Sequence, residues 1–106
     1  MSTTTDDATI LVRAAEIVEK GWCQGATARD AKGVSVATDD PRATRWCLIG
    51  AIAKAEYELK GWVKVGGHTA CEQACGGSGL TSFNDAPGRT AAQVAAALRR
   101  AAEEKS

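Results

Sequence analysis

Apolar side chains recur every three or four positions between residues 7 and 20, and charged residues occupy most of the positions between them. This period predicts an amphipathic helix with one buried face. The buried stripe is expected to consist of Ile10, Leu11, Ala14, Ile17 and Val18. Asp6 or Asp7 can cap the start of the helix, and Gly21 is expected to end it in the left-handed conformation.

A second amphipathic pattern runs through the last seventeen residues of the chain. Thr90 and Gln93 have the spacing of a capping box, in which each side chain bonds the backbone N–H of the other residue. The predicted inner stripe of this helix is Val94, Ala95, Leu98 and Ala101. The residues just before it, 84–89, are dense in turn formers and predict a turn.

The most apolar stretch lies between these two helices, at residues 46–53. Asp40 as N-cap and Pro41 at the first helical position predict a helix that starts there and ends near Lys60. Because residues 46–53 are apolar on all sides, this helix is expected to be the buried central one. Gly50 and Ala51 are expected to let the alanine-rich last helix approach it closely.

Residues 22–40 change from helical to alternating spacing. Gly33 permits a positive φ, and Val34-Ser-Val36 alternates with period two, so a short β-hairpin is predicted with its turn at Asp30 to Gly33. Residues 61–82 predict no element clearly: Trp62 to Val65 fits a strand or a helix extension. A chain of 106 residues suits one small globular domain, residues 1–106. The predicted fold class is mainly α with a small β-hairpin (α+β), with about three main helices around a buried central helix.

Charge distribution and the search for targeting signals argue against nucleic-acid and membrane partners. Thirteen basic residues balance thirteen acidic ones and are mixed with them along the chain. No basic stripe appears, which makes nucleic acid an unlikely partner. The chain shows neither a signal peptide nor an apolar run of about 20 residues, so a cytoplasmic location without membrane contact is expected. In a reducing compartment its four cysteines are free thiols or metal ligands.

Three segments together resemble a known pattern. They are Gly21-Trp22-Cys-Gln24-Gly25, Trp46-Cys47-Leu-Ile-Gly50-Ala51 and Phe83-Asn84-Asp85-Ala-Pro87-Gly88-Arg89-Thr90. This order resembles GWxQG, WCxxGA and WNDxPGRT, the pattern of an uncharacterised family of small bacterial and phage proteins. The resemblance covers residues 10 to 100, and this chain departs from it at Phe83 and at residues 71–79. It implies a shared layout and assigns no activity.

Cys47 fits two hypotheses, a reactive nucleophile and a small buried core residue. A nucleophilic cysteine needs a helix N-terminus or a basic partner to lower its pKa. Cys47 is expected about two turns inside the predicted helix, where the dipole has little effect, and His68 is the one histidine that could act as a base. We therefore expect Cys47 to be a small buried core residue.

Loop residues offer the best candidate binding surface. Trp22, Gln24, Asn84, Asp85 and Arg89 are polar or aromatic groups on predicted loops, where binding residues concentrate. We expect the two loops to lie together, with Gln24 bonded to the Asn84-Asp85 turn. Two roles stay open for these residues: a structural contact between the loops or a surface that contacts a ligand.

The soft ligands Cys23, His68, Cys71 and Cys75 form a weak alternative metal site, because their spacing matches no standard zinc motif. No cofactor and no catalytic residue is assigned. The preferred hypothesis is a non-catalytic binding or adaptor protein that recognises a protein partner or a small ligand through the two loops. The alternative is a small thiol- or carboxylate-dependent enzyme that uses Cys47 or Asp85 with Arg89.

Overall fold

A computed structural model describes residues 7–60 and 79–105 of the chain. Its elements, in chain order, are α1 (Asp7–Lys20), β1 (Ala28–Asp30), β2 (Ala43–Trp46), α2 (Leu48–Lys60), α3 (Leu80–Asp85) and α4 (Ala91–Lys105). The described part is mainly helical, with one two-stranded antiparallel sheet. The predicted α+β class is therefore confirmed.

Helices α1 and α4 follow the sequence prediction closely. Every residue of the two predicted stripes is buried, and the two helices pack along each other. The capping box is present: Gln93 N–H donates to Thr90 Oγ1 at 3.2 Å, and Thr90 N–H donates to Gln93 Oε1 at 3.1 Å. Arg99 adds an ion pair to Glu19 across the two helices, with Nη2 to Oε1 at 3.0 Å.

The central helix is α1, since both α2 and α4 pack on it. The prediction that α2 would be central is wrong, because α2 starts later than predicted and presents one apolar face. Its buried apolar residues have the spacing of a single helical stripe: Leu48, Ala51, Ile52 and Ala55.

Residues 40–47 account for the late start of α2. Asp40 caps a turn instead of a helix: its Oδ1 accepts from the N–H of Arg42 at 2.8 Å, and its carbonyl accepts from Ala43 at 3.0 Å. Hydrogen bonds from the Arg42 side chain and N–H lower the pKa of Asp40 to about 2. Trp46 lies on β2 and is half-buried, with its indole N–H on the carbonyl of Thr38 at 3.0 Å. Strand pairing thus overrides the local cap signal.

The predicted turn at residues 30–33 is confirmed, but the strand that follows it is not the main partner. Gly33 N–H donates to Asp30 O at 2.9 Å, and Gly33 has a φ of +85°. Strand β1 then pairs with β2, with Ala28 opposite Trp46 and a bulge after Arg29. The segment after the turn contributes one bridge, at Ser35.

Two glycines lie where backbone segments approach each other too closely for a side chain to fit. A Cβ on Gly21 would overlap the carbonyl oxygen of Thr44, and a Cβ on Gly50 would overlap that of Thr27. Gly21 does not have a positive φ, so the prediction that it ends α1 in the left-handed conformation is wrong. Gly50 faces the 22–27 loop, so the expectation that it lets the last helix approach α2 is wrong.

No helix within residues 7–60 and 79–105 is long and apolar enough to cross a membrane. The predictions for Trp62 to Val65 and for a turn carrying Cys71 and Cys75 lie outside the described residues.

Replacing Gly50 with alanine tests the backbone contact at Thr27. Alanine normally stabilises a helix interior by about 1 kcal/mol relative to glycine. Here the added methyl group has no space, so we expect a net loss of about 2 kcal/mol in the free energy of unfolding. Urea denaturation measures it. Gly79→Ala is the control, because nothing lies within 4 Å of a Cβ there; equal effects of the two changes would contradict the contact.

Candidate functional site

The first candidate loop, which begins at Trp22, forms a short parallel pairing with the end of β2. Trp46 N–H donates to Gly21 O at 3.1 Å, and Cys23 N–H donates to Trp46 O at 3.3 Å. These two bonds bridge Trp22 to Trp46. A regular parallel ladder would continue with a bond from Leu48 N–H to Cys23 O.

The side chain of Asn84 occupies the place of that next ladder bond. Its Oδ1 accepts from Leu48 N–H at 3.0 Å, and its Nδ2 donates to Cys23 O at 3.0 Å. Oδ1 also accepts from the indole of Trp22 at 2.7 Å, and Nδ2 donates to Asp85 Oδ1 at 2.9 Å. Asn84 is 2% exposed, and its carboxamide thus makes all four hydrogen bonds available to it.

A second layer of bonds ties the 22–27 loop to the end of α3. Gln24 Nε2 donates to Asn84 O at 3.0 Å and to Ala86 O at 3.3 Å. Gly25 N–H donates to Asp85 Oδ1 at 3.1 Å. The predicted contact between Gln24 and the Asn84-Asp85 turn is confirmed. Trp22, Gln24, Asn84 and Asp85 are called the Asn84 network below.

Arg89 lies beside this network and bonds elsewhere. Its Nε donates to Phe83 O at 2.8 Å, and its guanidinium stacks 3.9 Å from the centre of the Phe83 ring. Within the described ranges Arg89 forms no ion pair with Asp85. Arg89 therefore closes the turn after α3, whose Gly88 has a φ of +79°.

A cavity of about 160 Å³ opens beside the Asn84 network. One wall is the loop at 25–27, the second is the start of α2 at Cys47 and Ile49, and the third is α3 through Leu80, Thr81 and Asp85. We call it the α3 pocket. It combines apolar side chains with two threonine hydroxyls and one carboxylate, which is the usual composition of a small-ligand site.

Cys47 stands at the N-cap of α2, and not two turns inside a helix as predicted. Its carbonyl accepts from Ala51 N–H at 2.7 Å, and its Sγ accepts from Gly50 N–H at 3.3 Å. Burial raises the pKa of this thiol, and the N–H groups of Gly50 and Ile49 act in the opposite direction. The negative charge of Asp85 raises the pKa further. Cys47 is buried, as expected.

Cys23 is the one member of the alternative metal site that lies within the described residues. Its Sγ donates to Ala26 O at 3.5 Å, and burial raises the pKa of its thiol, with the Cys47 thiol adding to that effect. His68, Cys71 and Cys75 lie outside the described residues. Within the described ranges no three groups of metal-ligand type converge.

Sequence reasoning missed five residues that line the α3 pocket: Ala26, Thr27, Ile49, Leu80 and Thr81. No motif or spacing marks them, since they come from three distant segments. The structure does bring together Trp22, Gln24, Asn84 and Asp85, and it places them in contacts with one another.

The Asn84 network predicts a large loss of stability for Asn84→Ala. The change leaves a buried backbone N–H, a carbonyl and an indole N–H without partners, and each costs about 1–3 kcal/mol. We expect the free energy of unfolding to fall by about 3 kcal/mol or more in chemical denaturation.

Gln24→Ala is the graded comparison for Asn84→Ala. Because the Gln24 side chain is exposed, water can replace its bonds, and we expect a loss of about 1 kcal/mol. Similar small losses for both variants would show that Asn84 does not hold the segments together.

Comparison with known proteins adds a family and no activity. No curated protein and no solved structure matches the chain. Residues 2–104 match the family of unknown function DUF6197. The resemblance of the three segments to an uncharacterised family agrees with this match, and the chain belongs to the family of unknown function DUF6197.

Proposed function

We propose that this chain is a non-catalytic binding or adaptor protein, which recognises a protein partner or a small ligand where the 22–27 loop meets α3 and the Arg89 turn. The observation that carries this proposal is the position of the α3 pocket. It opens at the junction of the two loops, and Asn84 and Asp85 belong both to its wall and to the hydrogen-bond network behind it.

Within this proposal, the residues of the surface divide into two roles. Trp22, Gln24 and Asn84 use their hydrogen bonds to hold the loops in place. Thr27 and Thr81 are exposed at the pocket and are available to a ligand. A site held rigid before binding loses less conformational entropy when the ligand arrives, which favours affinity.

The alternative of a thiol enzyme has one observation in its favour, which is that Cys47 caps α2 and lines the pocket. Two observations favour binding instead. The pKa of Cys47 is raised, so less of the reactive thiolate is present at neutral pH. Among the described residues that line the pocket, none is a histidine, lysine or arginine that could act as its base or counter-ion.

Alkylation of Cys47 separates these two functions. We expect iodoacetamide at pH 7.5 to modify Cys47 in the folded protein about tenfold or more slowly than in urea, because burial blocks access and raises the pKa. Peptide mapping by mass spectrometry resolves each cysteine. Faster modification of Cys47 in the folded state than in urea would favour the enzyme.

Filling the pocket tests the binding function directly. We expect fragments found by saturation-transfer NMR with the wild-type protein to lose binding to Thr81→Trp, because an indole at this exposed position occupies the α3 pocket. Ala96→Trp is the matched control, since Ala96 is exposed on α4 and does not line the pocket. Fragments that bind both variants equally, or no fragment at all, would contradict the proposal.

A further inference from the structure

The geometry points to a ligand class: we propose that the α3 pocket binds a primary ammonium group on a short aliphatic chain, next to the carboxylate of Asp85. This inference rests on the proposed binding function and specifies its ligand. It follows from the charge of the pocket, from the state of the helix end that borders it, and from its size.

Asp85 places a negative charge at the pocket wall. Its Oδ1 accepts from the N–H of Gly25 and from Asn84 Nδ2, whereas Oδ2 has no hydrogen-bond donor within the described residues. Its carboxylate forms no ion pair there either. Burial is the main cause of the raised pKa of the Cys47 thiol, and the charge of Asp85 adds to it; at Cys23 the charges of Arg29 and Arg45 act in the opposite direction. Among the residues that line the pocket, Asp85 is the one charged side chain. Arg29 lies next to Gly25, where its guanidinium bonds the carbonyls of Gln24 and Gly33.

The N-terminus of α2 borders the pocket, and a free helix N-terminus would favour an anion. Here three of its first four N–H groups are already bonded. Leu48 N–H bonds Asn84 Oδ1, Gly50 N–H bonds Cys47 Sγ, and Ala51 N–H bonds Cys47 O. Asp85 is the one charged side chain in the pocket lining, so a cationic ligand matches the pocket.

The lining and the volume define the rest of the ligand. Ile49 and Leu80 offer apolar contacts for an aliphatic chain, and the hydroxyls of Thr27 and Thr81 can accept from an ammonium group, which has three N–H donors. The cavity of about 160 Å³ is smaller than the roughly 300–1,000 Å³ of a drug-sized ligand site, so it suits a short chain of a few non-hydrogen atoms. A butylammonium group has this size, and so does the outer part of a lysine side chain.

The probes are n-butylammonium, its neutral counterpart n-butanol and its anionic counterpart butyrate. Each is titrated into the wild-type protein at pH 7 and followed by ¹⁵N–¹H correlation NMR. We expect saturable shifts at the amides of residues 25–27 and 81 with butylammonium, and at least tenfold weaker binding of the other two probes. Equal binding of butanol or butyrate would overturn the ammonium assignment without using any variant.

Asp85→Asn tests the residue itself. Asparagine keeps an acceptor oxygen for the N–H of Gly25 and removes the charge, so the fold is expected to persist while butylammonium binding weakens at least tenfold. Asp39→Asn is the control, because Asp39 is an exposed carboxylate outside the pocket. Unchanged binding to Asp85→Asn, or equal weakening in both variants, would refute the role of Asp85.

The same ammonium chemistry can come from a free amine or from a lysine of a protein partner. Nα-acetyl-lysine methylamide distinguishes them: binding as strong as that of butylammonium supports a lysine side chain, and much weaker binding supports a free amine. Failure of the ammonium assignment leaves the binding function standing if other fragments still depend on Thr81. Failure of both tests removes the pocket as a site.

Discussion

The carboxamide of Asn84 is the interaction on which the site depends. It bonds the backbone of two segments that come together as a parallel pair, at Cys23 and at Leu48, and it is carried by a third segment. An asparagine side chain has the same donor and acceptor groups as a peptide unit, so it can replace one bond of a ladder. Because it is buried, each of these bonds is made in a low dielectric and is costly to lose.

Two close backbone contacts make this arrangement possible. Gly21 lets the end of α1 reach the strand at Thr44, and Gly50 lets α2 reach the loop at Thr27. Among the described residues, the buried core cluster contains eight alanines beside nine isoleucine, leucine or valine residues. Small residues and one buried amide therefore fix the relative position of α1, α2 and α3.

The Asn84 network forms one side of the α3 pocket, the proposed binding site. The Asn84 network consumes most of the hydrogen-bonding groups that the sequence marks as candidates for binding, whereas Asp85 keeps one oxygen available and Thr81 is exposed. The marked residues support the proposed site more than they form its contact surface. Three of the first four N–H groups of α2 are bonded within the protein, and Asp85 is the one charged side chain that lines the pocket.

The sequence by itself determined α1, α4 with its capping box and the turn at residues 30–33. Helix periods, caps and tight turns depend on residues a few positions apart, so a single chain reveals them. Only the tertiary structure decided the start of α2, the N-cap position of Cys47 and the roles of Gly21 and Gly50. Those features depend on strand pairing between Ala28 and Trp46 and on backbone contacts between distant segments. Pairing at that separation overrides a local cap signal such as Asp40-Pro41, because it satisfies several backbone groups at once.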